Sequence, residues 1–195
     1  MKTLKPDRFR SSRGFTILEV LIAGLITAIL ATASFRFYTS MHNQTETQYE
    51  VSEVQHQCRA SVNDIKKTLR QAGFKLVGHP AAEMNGDSLA VYFSETQPVD
   101  TVLYYLEEFN DHDYWRVPDL PEGQKLYKLM KRRNSSTPEI YTDYIVDIDF
   151  TQVDTRTMLI TVTAQVSKKD DSFQENGGFR TWTLDEQVTL RNVTI

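Results

Sequence analysis

The chain is poor in the residues that build disulfides and metal sites. Cys58 is the single cysteine among 195 residues, so no internal disulfide can form. The cysteine count therefore does not indicate whether the protein resides in an oxidising or a reducing compartment. The four histidines are scattered, and none has the spacing of a zinc site. The sequence also lacks a phosphate-binding glycine loop, a nucleophile elbow and a zinc-binding helix motif. We therefore expect no enzyme activity, no catalytic residues, no bound metal and no cofactor.

An overall excess of basic residues is also missing. The formal net charge is −4, and the first fourteen residues alone carry five basic side chains and one aspartate, which leaves −8 for the remainder. Binding to a nucleic-acid backbone needs clustered Lys and Arg, so no nucleic-acid partner is expected. The local basic cluster formed by Lys128, Lys131, Arg132 and Arg133 is interpreted as a solvated loop.

One long apolar run dominates the N-terminal part, residues 15–37. A helix needs about 20 such residues to cross a bilayer, and the basic residues before the run should stay cytoplasmic. Glu19 interrupts the run, although a carboxylate at the bilayer centre costs roughly 2.5 to 3.5 kcal/mol and therefore usually marks a function. A secretory signal would be shorter and free of such a charge, so we expect this segment to be retained despite the small residues at positions 31–33.

The residues around Glu19 form a short motif, Gly14-Phe15-Thr16-Ile17-Leu18-Glu19, behind a basic stretch. This motif resembles the class III signal of type IV prepilins and pseudopilins. The resemblance implies that residues 1–14 are a cytoplasmic leader, that prepilin peptidase cuts between Gly14 and Phe15, and that it methylates the new amine of Phe15. That amine would be a cation in an apolar setting, and pairing it with a carboxylate of a neighbouring helix relieves the desolvation of both. Glu19 would thereby set the axial register of assembly.

Residues 38–73 are interpreted as an amphipathic continuation of the same helix. Apolar or small residues recur every three or four positions, and Gly73 is typical of a helix C-terminal cap. Cys58 falls on the apolar face and is predicted to be a small buried side chain. Glu46, Glu50 and Glu53 are predicted to lie on a solvated face. The apolar face consists of Val51, Val54, Cys58, Val62, Ile65, Leu69 and Ala72.

Residues 74–195 are predicted to form a β-rich globular domain in the periplasm. The separation of one long N-terminal helix from the later strands indicates an α+β fold of pilin-like type. In such a fold, the amphipathic half of the helix packs on an antiparallel sheet. Asp111-His112-Asp113 is interpreted as a polar hairpin loop. The predicted strands are 89–93, 102–107, 114–117, 125–130, 144–152, 158–167 and 179–190.

An oxygen-rich stretch follows the sixth predicted strand. Asp170, Asp171, Glu175 and Asn176 carry the type of ligand that calcium prefers, although their spacing matches no defined calcium loop. We therefore keep calcium as a weaker hypothesis beside the expectation of no cofactor.

Three segments resemble PilW-like minor pilins more than major pilins: residues 69–74, residues 144–150 and residues 188–192. The resemblance implies a minor type IV pilin that primes or caps pilus assembly at the filament tip. Its implied partners are prepilin peptidase, other minor pilins, the major pilin, the inner-membrane assembly platform and membrane lipid. It implies a single-pass inner-membrane protein with a periplasmic domain, later part of a pilus or pseudopilus. A J-type pseudopilin of type II secretion is the alternative, followed by a pilin-stem-anchored adhesin or DNA-uptake receptor.

Overall fold

The computed structural model describes residues 14–94, 99–170 and 173–192. Most of the predicted leader, residues 1–13, lies outside these ranges. The chain divides into two compact units, residues 1–45 and 46–195, and helix α1 (Ile17–Gln71) runs through the boundary between them. The two predicted helical segments therefore belong to one helix.

Within the first unit, α1 is apolar and entirely exposed. By its length and its mean hydropathy of 2.1 in the most apolar window, the helix is long and apolar enough to cross a membrane, and none of that window is buried. The hydroxyl groups in this stretch are bonded within the helix, because Thr27 and Thr32 donate to the carbonyls of Ala23 and Ala28 at 2.7 and 2.8 Å. In lipid, where water is absent, such internal bonds satisfy the polar groups of the helix.

The second unit contains the end of α1, an antiparallel sheet and a single-turn helix α2 (Asp111–Tyr114). Each strand pairs with the next one along the chain, so β1 and β7 are the edges of one seven-stranded sheet. The α+β layout and the antiparallel sheet are confirmed. The strands are β1 (Ala82–Asn85), β2 (Ser88–Phe93), β3 (Asp100–Glu108), β4 (Tyr127–Arg133), β5 (Glu139–Gln152), β6 (Thr157–Gln165) and β7 (Thr181–Thr189).

The core lies between the helix and one face of the sheet. Strand β6 alternates buried and partly buried residues, so that Ile160 and Val162 are fully enclosed. Apolar side chains of α1 at three- and four-residue steps complete the core, which confirms the predicted amphipathic face. Cys58 is buried in it as predicted, and burial raises the pKa of its thiol to about 11. The helical contribution is Val54, Cys58, Val62, Ile65 and Leu69.

One predicted strand is wrong. Residues 114–117 do not extend, because the connection between β3 and β4 starts with the helical turn α2. Asn110 accepts a hydrogen bond from the amide of Asp113, whose carboxylate accepts one from the amide of Asn110. This capping box forms a helical turn inside the connection between the antiparallel strands β3 and β4, so residues 111–113 lie in a hairpin connection as predicted, with a helical turn in it.

Three smaller expectations also need correction. Strand β1 was not predicted, and β5 begins at Glu139 instead of residue 144. The basic cluster lies on strand β4, not in a solvated loop, because Lys128 and Lys131 each find a carboxylate at 2.6 Å. Long aliphatic stems allow such lysines to cover a sheet while their charges are neutralised.

Candidate functional site

The site with the most specific chemistry is the start of α1. Thr16 precedes the first helical residue, and its hydroxyl accepts a hydrogen bond from the amide of Glu19 at 3.2 Å. In return, Oε2 of Glu19 accepts from the amide of Thr16 at 2.8 Å and from its hydroxyl at 2.9 Å. This reciprocal arrangement is a capping box, and the negative charge lies at the positive end of the helix dipole.

The other carboxylate oxygen, Oε1 of Glu19, accepts no hydrogen bond from any residue that the structure describes. Capping therefore uses one oxygen and leaves the second available. A carboxylate has several lone-pair sites, so a cation can bind Oε1 without breaking the cap. Glu19 can thus hold its own helix end and an external positive charge together.

The Gly14–Phe15 peptide bond lies just outside the helix. Residues 14–16 have no regular secondary structure, and the side chain of Phe15 is 89% exposed. A Cβ added at Gly14 would meet no described atom within 4 Å. A peptidase needs an accessible, non-helical bond, and this bond has both properties.

Thr16 was missed as a functional candidate, although its signal is present. The pattern Thr16-x-x-Glu19 before an apolar run is the sequence signature of a capping box. Gly14, Phe15 and Glu19 lie within six positions of the sequence, and their roles stay predictions.

The helix is held to the sheet in the second unit by polar contacts as well as by the core. Oδ2 of Asp64 accepts from the Tyr104 hydroxyl at 2.7 Å and from Nζ of Lys131 at 2.6 Å. The same hydroxyl lies 2.8 Å from the Thr68 hydroxyl. Burial raises the pKa of Tyr104, which keeps the phenol neutral and able to donate. These contacts fix the rotation of α1 about its axis.

Glu50 was predicted to be solvated and is instead engaged. Its Oε2 accepts from the amide of Lys168 at 3.2 Å, and its Oε1 lies 3.4 Å from Nζ of that lysine. Glu46 lies 3.7 Å from the same ammonium group. The loop after β6 therefore binds the helix at the first turns of the second unit.

The residues of the calcium hypothesis have other partners where the structure describes them. Oδ2 of Asp170 accepts from Nε and a terminal nitrogen of Arg180, both at 2.8 Å. Asn176 donates to Oε1 of Gln165 and to the carbonyl of Phe179. Asp171 lies outside the described residues, and within those residues no group of three or more His, Cys, Asp or Glu is placed to hold a metal. Calcium stays an untested hypothesis.

Comparison of this chain with family models, with curated proteins and with solved structures finds no match. Family membership is therefore not shown.

Proposed function

We propose that the chain is a minor type IV pilin, a structural subunit that primes or caps pilus assembly at the filament tip. The supporting observation is the pairing of two features in one segment. The Gly14–Phe15 bond is exposed and non-helical, and Glu19 keeps one carboxylate oxygen available while the other caps the helix.

Cleavage after Gly14 would create an ammonium group at Phe15. In an apolar environment, both that cation and the Glu19 carboxylate are costly unless they pair, and pairing between neighbouring subunits relieves both costs. The capping box keeps Glu19 at the end of the helix, so the pairing would define how far one subunit slides along the next. Processing would thereby produce the group that assembly recognises.

The apolar part of α1 favours a subunit that resides in the membrane before it assembles. Its exposed apolar surface fits lipid before assembly and neighbouring helices afterwards, since close helix packing replaces lipid contacts. The proposed location is the inner membrane with residues 46–195 in the periplasm, and the proposed partners are prepilin peptidase, other pilins and the assembly platform. A J-type pseudopilin of type II secretion would use the same segment in the same way.

The first test is processing of the chain in its native cell. Gly14→Val should leave the precursor uncut, because a bulky residue occupies the position before the scissile bond, while the absence of neighbouring atoms at Gly14 means that folding is unaffected. Gly24→Ala is the matched control, since an added methyl group there also meets no atom. Mass spectrometry should find N-methylated Phe15 in the wild type and control. A mature start at Met1 or near Ser34 would contradict the proposal.

The second test separates the two duties of Glu19. Glu19→Gln keeps an acceptor for Thr16 and therefore the cap, but it removes the charge. Thr16→Val removes the two hydrogen bonds of the Thr16 hydroxyl, which weakens the cap, and it keeps the charge. Incorporation into sheared filaments should fall roughly tenfold or more in Glu19→Gln, because a charge pair in a low dielectric exceeds about 1.4 kcal/mol, and should fall less in Thr16→Val. Normal piliation by processed Glu19→Gln would disprove the pairing. Loss of protein secretion without loss of pili would favour the pseudopilin.

A further inference from the structure

Trp115 is a large aromatic side chain that the fold leaves in solvent. Its exposed fraction is 84%, although Trp is usually mostly buried and exposing its ring forfeits apolar burial. It lies at the end of α2, and the ring of His112 is parallel to its ring within 5°, with 6.5 Å between centroids. The two rings form an exposed pair, which we call the aromatic platform.

The backbone that carries the platform is anchored on both sides of Trp115. On one side, Asp113 is buried and bound to Lys128 at 2.6 Å, and Tyr114 packs edge-on against buried Phe109 at 5.7 Å. On the other side, Arg116 binds the carboxylate of Asp143 at 2.8 Å. The backbone that presents Trp115 is therefore anchored by its two neighbours, while the indole ring itself stays exposed.

A fixed, exposed aromatic residue is well suited to binding. Protein interfaces derive most of their free energy from a few residues, and Trp is among the most enriched of these. Holding the backbone before contact removes much of the ordering cost that a flexible loop would pay on association.

The segment that carries the platform has an excess of negative charge, which favours a positively charged partner. Residues 107–128 contain six carboxylates and three basic residues, and each of the three basic residues is already paired: Arg116 with Asp143, Lys125 with Glu108 and Lys128 with Asp113. Within residues 107–128, all of which the structure describes, the carboxylates that form no ion pair are Glu107, Asp111, Asp119 and Glu122.

We propose that the aromatic platform binds an arginine- or lysine-bearing segment of another protein. The face of an indole ring attracts a guanidinium or ammonium group, and the excess of unpaired carboxylates in residues 107–128 adds long-range attraction. This surface belongs to residues 46–195 and does not depend on cleavage at Gly14. The binding proposal therefore holds equally for a filament subunit and for an anchored binding module. The sheet edges are less suited to such docking, because β1 has four residues and β7 turns Glu186 inward to Lys66, a device that discourages edge pairing.

Binding can be measured on the full-length chain in detergent micelles with a fluorescent hexa-arginine peptide as the probe. Trp115→Ala should weaken binding by at least about tenfold, the loss expected for a central aromatic residue, while Trp115→Phe should retain most of it. Val77→Ala is the matched control, because Val77 is 97% exposed in another loop. A hexa-glutamate peptide should not bind. Equal affinity of the wild type and Trp115→Ala for hexa-arginine would overturn the proposal.

The chain also allows the contact to be observed directly, because it has two tryptophans. Trp182→Phe leaves Trp115 as the single emitter, and its emission should change saturably with hexa-arginine and recover as salt is added. Trp115→Phe leaves Trp182, which is partly buried beneath Arg59 at 5.6 Å and whose emission should not change. A response from Trp182 and none from Trp115 would place the binding elsewhere and contradict the proposal.

In cells, a photo-crosslinking residue at position 115 identifies the occupant. The supporting result is an adduct mapped to a Lys- or Arg-bearing segment of a different polypeptide, with none from the same residue at position 77. An adduct with lipid, with a glycan or with a second copy of this chain would overturn the proposal, as would no adduct at all.

Discussion

Several charged residues in this protein are stabilised by partners on other elements of the fold. Asp113 shows the pattern most clearly: Nζ of Lys128 lies 2.6 Å from its carboxylate, and both side chains are nearly enclosed. The hydrogen bond from Lys128, followed by the amide of Asn110, outweighs desolvation and lowers the pKa of Asp113. The same pair holds the turn that exposes Trp115, so one ion pair connects stability with the proposed binding surface.

The lowered pKa of Asp113 predicts an acid-dependent loss of stability. Because the folded pKa is below the unfolded value of about 3.9, the contribution of Asp113 is complete above that pH and disappears as the pH falls through the folded pKa. Asp113→Asn should be less stable than the wild type near neutral pH, and the gap should narrow below about pH 4. Thermal unfolding midpoints at a series of pH values measure this gap.

The control for this prediction is Asp87→Asn, since Asp87 is exposed in the β1–β2 turn and has no ion pair among the described residues. Its thermal midpoint near neutral pH should stay close to that of the wild type, because no ion pair is lost. A gap between the wild type and Asp113→Asn that stays constant from neutral to acid pH would show that the pair contributes no proton-linked stability.

At the scale of elements, the end of α1 is defined by close approach as much as by helix chemistry. Gly73 adopts a φ of +76°, and its amide donates to the carbonyl of Tyr92 at 2.9 Å. A Cβ at this position would lie 2.5 Å from the carbonyl oxygen of Asn192. The helix can therefore stop and dock against the last residues of the sheet domain only if position 73 has no side chain.

Gly73→Ala should accordingly destabilise the second unit by roughly 2 to 4 kcal/mol, which combines a left-handed backbone cost of about 1 to 2 kcal/mol with a clash. Gly86→Ala separates the two terms, because Gly86 has a φ of +58° and no atom near an added Cβ. Gly86→Ala should therefore lower the free energy of unfolding only by the left-handed backbone cost of about 1 to 2 kcal/mol. Denaturant unfolding measures both variants, and equal losses would show that the approach of Asn192 is unimportant.

At the scale of the whole molecule, burial divides the chain into two parts. No side chain in residues 14–45 is buried, and the buried core begins at Val54. The second unit thus contains a hydrophobic core of its own, whereas the first unit exposes a helix that is long and apolar enough to cross a membrane.

A chain that begins at Glu46 should consequently be soluble without detergent and unfold cooperatively. Its thermal midpoint should lie within about 2 to 4 °C of that of the same unit in the full-length chain in micelles, the shift produced by about 1 kcal/mol. Calorimetry of both forms makes the comparison. Aggregation of the shorter chain, or a broad transition without a midpoint, would mean that residues 14–45 contribute to the core.

The sequence by itself determined the features that depend on local pattern. The apolar run, the three- and four-residue steps on α1, the cap at Gly73 and most strands were readable, because periodicity and turn residues act over a few positions. The Thr16–Glu19 capping box was readable too, although it was overlooked. The leader, the cleavage and the pairing of Glu19 stay predictions that the processing and incorporation experiments address.

Only the tertiary structure decided the features that depend on distant partners. Two lysines of the basic cluster lie on strand β4, where Asp64 and Asp113 neutralise their charges. Glu50 is partly shielded from solvent because its carboxylate binds the loop after β6. The backbone that presents Trp115 is likewise anchored through Lys128 and Asp143. An ion pair between residues far apart in sequence leaves no periodic signal, since its free energy depends on burial and geometry that exist only in the folded chain.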